Sequence, residues 1–133
     1  MSKKILNWKV EELNSREDVE KLPDDIQGVY IMENVLLEIF YVGKTEKQGI
    51  QKRIDQHYGT QEKNEVIIHN LKKEWPIDLY YAEVSEEEIP GIEQFLKDYF
   101  QPKGNTNEPC LDQSIECSLP FQIEKSIALG LYK

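Results

Sequence analysis

Between residues 28 and 42, apolar positions recur with a period of two on either side of a short polar turn. This alternation predicts a β-hairpin, because successive side chains of a strand point to opposite faces. A four-residue loop that pairs Glu33 with Glu38 places Tyr30 opposite Tyr41 and leaves both glutamates exposed at the turn. The two tyrosines are therefore expected to share one face of the hairpin.

Three later segments carry apolar residues at helical spacing, each followed by a residue that ends a helix. The stripes are Ile50, Ile54 and Tyr58 before Gly59; Ile67, Leu71 and Trp75 before Pro76; and Ile92, Phe95, Leu96 and Tyr99 before Pro102. A third strand is predicted over residues 77–84. The order β-β-α-α-β-α predicts an α/β fold of the α+β type, a small three-stranded antiparallel sheet flanked by helices.

The remaining segments are predicted to be accessory. Ser15 and Asp18 predict a short capped helix before Pro23, and Pro120 precedes a further predicted helix near residues 121–131. The 133-residue chain has room for one compact domain. We divide it into a lead-in over 1–22, one domain over 23–107 and a C-terminal extension over 108–133 that packs on the same domain.

The composition argues against several classes of protein. Uninterrupted apolar runs reach four residues, far short of the roughly 20 that a membrane helix needs, and the apolar stretch after Lys3 and Lys4 ends at Asn7. We therefore expect a cytoplasmic protein without a membrane partner. Cys110 and Cys117 are too few for a disulfide framework or a cysteine zinc site and are expected to be reduced thiols.

The charge is unevenly distributed. The net charge is −9, which argues against a general nucleic-acid-coating surface, because such binding depends on Lys and Arg displacing counterions from phosphate. Residues 42–73 nevertheless carry a net charge of +3. Any contact with phosphate is therefore expected in this segment.

Common catalytic motifs are absent from the chain. Gly43-Lys44-Thr45 lacks the earlier glycine of a phosphate-binding P-loop, where Glu38 stands instead, and no GxGxxG, HExxH, CxxC or GxSxG is present. What remains is an ordered set of polar residues. It consists of Gly28-Val29-Tyr30, Tyr41-Val42-Gly43-Lys44-Thr45, Arg53, His57, Glu93, Pro102 and Asn105.

This ordered set resembles the GIY-YIG nuclease superfamily, with valine replacing isoleucine in both halves of the paired motif. The resemblance implies that Tyr30 is the general base and that Tyr41 orients the phosphate or the water. It also implies that Arg53 contacts phosphate, with His57 one helical turn away. Lys44 or His57 would relay the proton.

The resemblance further implies that Glu93 binds Mg²⁺ or Mn²⁺ and that Asn105 stabilises the loop or helix carrying Glu93. One carboxylate with several waters is a typical magnesium site, since this ion gives up its hydration shell reluctantly. The phenol poses a difficulty, because a pKa of about 10 leaves it protonated at neutral pH. We expect Lys44, Arg53 or the metal to lower the pKa.

The resulting hypothesis is a metal-dependent endonuclease that hydrolyses phosphodiester bonds of nucleic acid, with DNA as the expected substrate. The acidic monomer is expected to bind DNA weakly, so targeting would come from a homodimer, the C-terminal segment or a protein partner. One alternative is a protein of the same fold that acts mainly as an acidic interaction module. A third hypothesis is an acidic mimic of nucleic acid.

Overall fold

The described part of the computed structural model, residues 3–72, 76–105 and 113–132, contains a four-stranded antiparallel sheet in the order β1-β4-β2-β3. The strands are β1 (Lys9–Leu13), β2 (Gly28–Glu33), β3 (Ile39–Thr45) and β4 (Ile77–Glu83). The helices are α1 (Ile50–Tyr58), α2 (Glu65–Lys72), α3 (Ile89–Phe100) and α4 (Phe121–Ala128), and a 3₁₀ helix spans Arg16–Lys21. The predicted α+β class is confirmed. Trp75 and Cys110 lie outside the described residues.

The prediction of three strands was wrong, because β1 pairs antiparallel with β4 and adds an edge strand. Leu13 is the one fully buried side chain among the five described residues of β1, so the segment lacks a period-two apolar pattern. The adjacent Ser15 precedes the 3₁₀ helix without a side-chain capping hydrogen bond in the described structure. Asp18 instead accepts the backbone N–H of Asn14 at 2.7 Å.

Each face of the sheet supports its own hydrophobic core. On one face, Val29 and Ile31 of β2 pack in a cluster that also holds α3 residues and Ile123 of α4. On the other face, Tyr30 and Met32 pack with residues of α1, α2 and the 3₁₀ helix. The alternation predicted for β2 is therefore confirmed, and both of its faces are buried.

The predicted hairpin register was also wrong. Tyr30 lies opposite Gly43, and Met32 lies opposite Tyr41. The register shifts by one residue at the end of β2, which leaves Phe40 without a partner of its own in this ladder. Phe40 and Tyr41 consequently both pack on the side of the sheet that holds Tyr30. A bulge of this kind re-aims side chains at the end of a strand.

The segment after α3 covers the outer edge of β3. The Gly104 N–H donates to the Phe40 carbonyl at 2.8 Å. The Asn105 side chain accepts the Val42 N–H at 2.9 Å and donates to the Val42 carbonyl at 2.8 Å. These bonds satisfy backbone groups that an edge strand otherwise exposes. Within the described segments, no helix is long and apolar enough to cross a membrane.

Candidate active site at the sheet edge

Gly43 and Tyr30 explain the pairing of the two motif halves. A Cβ atom at Gly43 would lie 2.3 Å from both Cζ and the hydroxyl oxygen of Tyr30, which no real contact permits. The glycine therefore makes room for the phenol ring of its cross-strand partner. Residues 28–30 supply the ring, and residues 41–43 supply the space that it occupies.

The Tyr30 hydroxyl contacts the imidazole of His57 inside the protein. The distance from this oxygen to His57 Nε2 is 2.7 Å, and both residues are buried. Tyr41 completes the group, with ring centroids 6.1 Å from Tyr30 and 5.4 Å from His57. The two strands and the last turn of α1 thus bring three aromatic rings together.

The other nitrogen of His57 contacts a residue that the sequence analysis missed. His57 Nδ1 lies 2.5 Å from Oε1 of Glu62, which follows α1 in the turn before α2. The backbone N–H of Glu62 donates to the Gly59 carbonyl at 3.3 Å, so the turn folds back towards the end of α1. An acidic residue shortly after a helix-ending glycine is the sequence signal that could have indicated this pair.

Arg53 lies one helical turn before His57, as its spacing predicts, and its side chain is partly exposed. Its Nη1 donates to Gln56 Oε1 at 3.4 Å, and the phenols of Tyr30 and Tyr41 lie within electrostatic reach of the guanidinium. Burial lowers the pKa of Arg53, but Tyr30, Tyr41 and Glu62 together outweigh burial and raise it. The guanidinium is therefore charged beside both hydroxyls.

The net shift in the tyrosine pKa values is opposite to the expected one. Burial raises the pKa of Tyr30 well above its ordinary value, Tyr41 adds to the rise, and Arg53 opposes it. Burial also raises the pKa of Tyr41, again with Arg53 acting in the other direction. Arg53 thus acts as predicted, but desolvation is larger. Both phenols are protonated at neutral pH in this structure.

Glu93 approaches from α3, and its side chain is 13% exposed. Its Oε1 lies 3.9 Å from Lys44 Nζ and 3.6 Å from Lys97 Nζ. Lys44 Nζ is also 3.2 Å from Glu46 Oε1. Burial raises the pKa of Glu93, while the two lysines lower it. The Glu93 charge in turn contributes to the raised pKa of both Tyr30 and Tyr41, so it lies within electrostatic reach of the aromatic group.

The donor set around Glu93 fits a magnesium ion held largely by water. A group of three or more His, Cys, Asp or Glu side chains that could hold a metal is absent from the described residues. One carboxylate at the protein surface suffices for Mg²⁺, which usually retains several waters and binds substrate phosphate oxygens. Glu93 meets this requirement, whereas Lys44 and Lys97 would have to yield part of their contact with it.

Asn105 acts through the backbone. Its two hydrogen bonds to Val42 pin the segment that follows α3 to β3, next to Gly43 and Tyr41. Asn64, which directly precedes α2, holds the same segment, since its Nδ2 donates to the Gly104 carbonyl at 2.7 Å. Because this segment directly follows α3, these contacts hold α3, and with it Glu93, in a fixed position relative to β3, the strand that carries Tyr41.

The antiparallel four-stranded sheet and its helices thus bring phenol, imidazole, guanidinium and carboxylate groups together in one region of the protein. A model of the GIY-YIG catalytic domain matches residues 26–107, more than half of the chain. The chain therefore belongs to the GIY-YIG family, whose shared domain is generally a nuclease catalytic domain. No curated protein matches it.

Proposed function

We propose that this protein is a metal-dependent endonuclease that hydrolyses phosphodiester bonds of DNA. The observation that supports the proposal is the convergence of Tyr30, Tyr41, Arg53 and His57 beside Gly43. Placing a partly buried guanidinium and phenol beside a buried imidazole and a second, buried phenol opposes folding unless each group is well paired, and apolar side chains would fill the space at lower cost. A functional role explains why these groups are brought together.

Arg53 supplies the phosphate contact in this proposal. Its charged guanidinium offers two parallel N–H donors to the non-bridging oxygens of a phosphodiester. These oxygens gain charge as the reaction proceeds, so a fixed cation next to them stabilises the transition state more than the bound substrate. The Tyr41 hydroxyl, which lies within electrostatic reach of Arg53, orients the phosphate or the attacking water.

Tyr30 activates the water. As a buried phenol it is a weak acid and cannot ionise alone at neutral pH, so its own proton must leave as it accepts one from water. His57 Nε2, 2.7 Å away, is placed to receive that proton. Glu93 would hold the divalent ion, which when bound supplies a Lewis acid for the scissile phosphate and its leaving oxygen.

The direct test is nicking of supercoiled plasmid by purified protein with Mg²⁺ or Mn²⁺. Glu93→Gln should reduce the rate at least about 100-fold, because this variant removes the anionic ligand and retains the shape. Asp98→Asn is the matched control on the exposed side of α3, where Asp98 accepts a hydrogen bond from Gln94. Equal activity of both variants would remove Glu93 from the site. Inactive wild-type protein at every metal and salt concentration would contradict the proposal.

Weak binding of duplex DNA by the monomer is part of the proposal. With one net-positive segment, residues 42–73, few phosphates can be contacted, and each contributes about 0.9 to the slope of log affinity against log salt. A fluorescence-anisotropy titration at several salt concentrations should therefore give a shallow slope. A steep slope with tight binding would show that the fold concentrates its cations far more effectively. Sedimentation of the same samples would report a homodimer.

A further inference from the structure

We propose that Glu62 is a positioning residue for the cleavage reaction, because its carboxylate holds His57 in the tautomer whose Nε2 can take the proton of Tyr30. This inference rests on the proposed function. It adds a residue that lies outside the motif, in the turn between α1 and α2.

Hydrogen-bond chemistry determines the tautomer. An ionised carboxylate can only accept, so the 2.5 Å contact between Glu62 Oε1 and His57 Nδ1 requires hydrogen on Nδ1. A neutral imidazole has one N–H, which leaves Nε2 with a free lone pair. The Tyr30 hydroxyl, 2.7 Å from Nε2, must then be the donor. The opposite tautomer would direct two lone pairs at each other between His57 and Glu62.

The Glu62 carboxylate is itself held in place. Its Oε2 accepts the Lys63 backbone N–H at 3.2 Å, and the backbone N–H of Glu62 donates to the Gly59 carbonyl. The side chain is 14% exposed, so most of it is protected from solvent. A carboxylate fixed in this way orients an imidazole, as in the serine-protease triad, where an aspartate selects the tautomer of the general base.

Charged groups act on both ends of the Tyr30–His57 pair. Arg53 favours ionisation of the phenol, since its charge opposes the upward shift in the Tyr30 pKa. Burial lowers the pKa of His57, and Glu62 opposes this through a hydrogen bond and through its charge, while Arg53 reinforces the lowering. Arg53 therefore stabilises the phenolate, and Glu62 stabilises the imidazolium. Tyr41 is the remaining ionisable group in ring contact with the pair.

The proposed step balances without a further reactant. The Tyr30 O–H bond breaks as its proton moves to His57 Nε2, and the phenolate oxygen takes a proton from the attacking water. The water oxygen forms a bond to phosphorus while the bond from phosphorus to the leaving oxygen breaks. Solvent protonates the leaving oxygen. Tyr30 then gives its newly acquired proton to solvent and takes back the proton on His57 Nε2, so that hydrogen remains on Nδ1 alone.

A separate cleft opens next to His57 and Glu62. It has a volume of about 360 Å³, and its described lining comprises His57, Tyr58, Gly59, Thr60, Glu62, Ile68, Leu71 and Lys72. Tyr30, Tyr41 and Arg53 do not belong to this described lining. Water in the cleft could therefore reach the carboxylate end of the relay without entering through the phosphate-binding side.

Nitrogen-15 NMR of histidine-labelled protein tests the inference independently of cleavage. At neutral pH we expect the nitrogen chemical shift of His57 Nδ1 in the range of a protonated ring nitrogen and that of Nε2 in the range of an unprotonated one. His69, the second histidine of the chain, serves as the reference signal, because its side chain is exposed. A wild-type His57 that carries hydrogen on Nε2 would overturn the inference before any variant is made.

Glu62→Gln should shift His57 towards the Nε2–H tautomer and lower its pKa, since both effects of Glu62 raise it. Glu65→Gln is the matched control, because Glu65 is an exposed carboxylate at the start of α2. An unchanged tautomer in Glu62→Gln would also overturn the inference. His57 of the folded wild-type protein still decides the matter if Glu62→Gln does not fold.

Cleavage kinetics provide the second readout. Glu62→Gln should lower kcat about 100-fold or more with little change in KM, while Glu65→Gln retains wild-type values. A full rate in Glu62→Gln would refute the positioning role even if the endonuclease proposal stands. Conversely, the expected tautomer in a protein that cleaves no DNA would contradict the proposed function and leave the hydrogen-bond assignment intact.

Discussion

Two buried tyrosines donate hydrogen bonds on opposite faces of the sheet, and their acceptors differ. In the imidazole cluster, formed by Tyr30, His57 and Glu62, an imidazole stands between the phenol and the carboxylate. In the carboxylate cluster, Tyr80 donates directly to Glu33 Oε1 at 3.1 Å, and Tyr132 donates to Glu33 Oε2. Both clusters satisfy buried polar groups, but they differ in their capacity to move a proton.

The difference follows from matching of proton affinities. Ordinary pKa values of about 10 for tyrosine and 4.3 for glutamate make proton transfer in the carboxylate cluster uphill by roughly 8 kcal/mol. With imidazole as acceptor, at about 6.5, the corresponding figure for ordinary pKa values is roughly 5 kcal/mol. Burial widens this gap by raising the Tyr30 pKa and lowering the His57 pKa, whereas Arg53 beside the phenol and Glu62 behind the imidazole each act against burial. The carboxylate cluster is therefore suited to structure, and the imidazole cluster to proton transfer.

Replacing one phenol in each cluster provides the largest expected contrast. Tyr30→Phe should reduce DNA cleavage about 10²- to 10⁴-fold, the range typical of a lost general base. Tyr80→Phe should leave cleavage near wild type and lower the free energy of unfolding by about 1 kcal/mol, because it removes one hydrogen bond. Single-turnover cleavage would measure the rate of each variant, and urea unfolding would measure its free energy of unfolding. Equal losses of activity would show that the two clusters do not differ in function.

Gly43→Ala tests whether the imidazole cluster depends on the placement of Tyr30. The added methyl group would collide with the phenol ring 2.3 Å away, so the ring must move from His57. We expect cleavage to fall by at least about 10-fold and the free energy of unfolding to fall by about 1–3 kcal/mol. Gly59→Ala is the control, because its nearest neighbour, the Gln56 carbonyl oxygen, is 3.3 Å from the new Cβ. An active, stable Gly43→Ala protein would contradict the packing argument.

The two clusters should impose opposite pH dependence on stability. Burial raises the pKa of Glu33 above its ordinary 4.5, so its contribution is fully present below that pH and is lost as pH rises through the raised pKa. Burial lowers the pKa of His57 below 6.5, so its contribution is present above pH 6.5 and is lost as pH falls through the lowered pKa.

Urea unfolding between about pH 4 and pH 8 would resolve these opposite slopes. Glu33→Gln should reduce the decline in stability with rising pH, and His57→Gln should reduce the loss at acid pH. Asp78 also has a pKa raised by burial and faces Glu33 across the strands, so Asp78→Asn serves to separate the two carboxylates. Parallel curves for wild type and Glu33→Gln would show that Glu33 does not titrate in this window.

Tyr132→Phe should have the smallest effect. The Tyr132 side chain is partly exposed, so water can replace its hydroxyl at Glu33, whereas Tyr80 is buried. We expect a loss of less than about 1 kcal/mol in the free energy of unfolding and unchanged cleavage. Thermal unfolding alongside Tyr80→Phe would rank the two donors. A larger loss for Tyr132→Phe would make the C-terminal segment the main support of the buried carboxylate.

Local patterns along the chain account for much of the fold. Apolar residues at helical spacing predicted α1 over its full length, and Gly59 and Pro102 lie within two residues of the ends of α1 and α3. These signals are readable because they act within one or two turns of backbone. The candidate site was likewise readable where its residues follow an ordered motif. Arg53 and His57 lie one helical turn apart through spacing alone, whereas the pairing of Gly43 with Tyr30 was set by the hairpin register.

Contacts between distant segments decided the rest. The strand β1 has one buried side chain, so its pairing with β4 leaves no periodic signal in the sequence, and the bulge at Phe40 depends on how β3 fits against β2. Glu33, expected at an exposed turn, is buried because Tyr80 and Tyr132 close over it from elements far away in the chain. Glu62 is an ordinary turn residue by sequence, and only the fold sets its carboxylate against His57. A sequence pattern reports which face a residue occupies, whereas hydrogen-bond partners depend on the packing of whole elements.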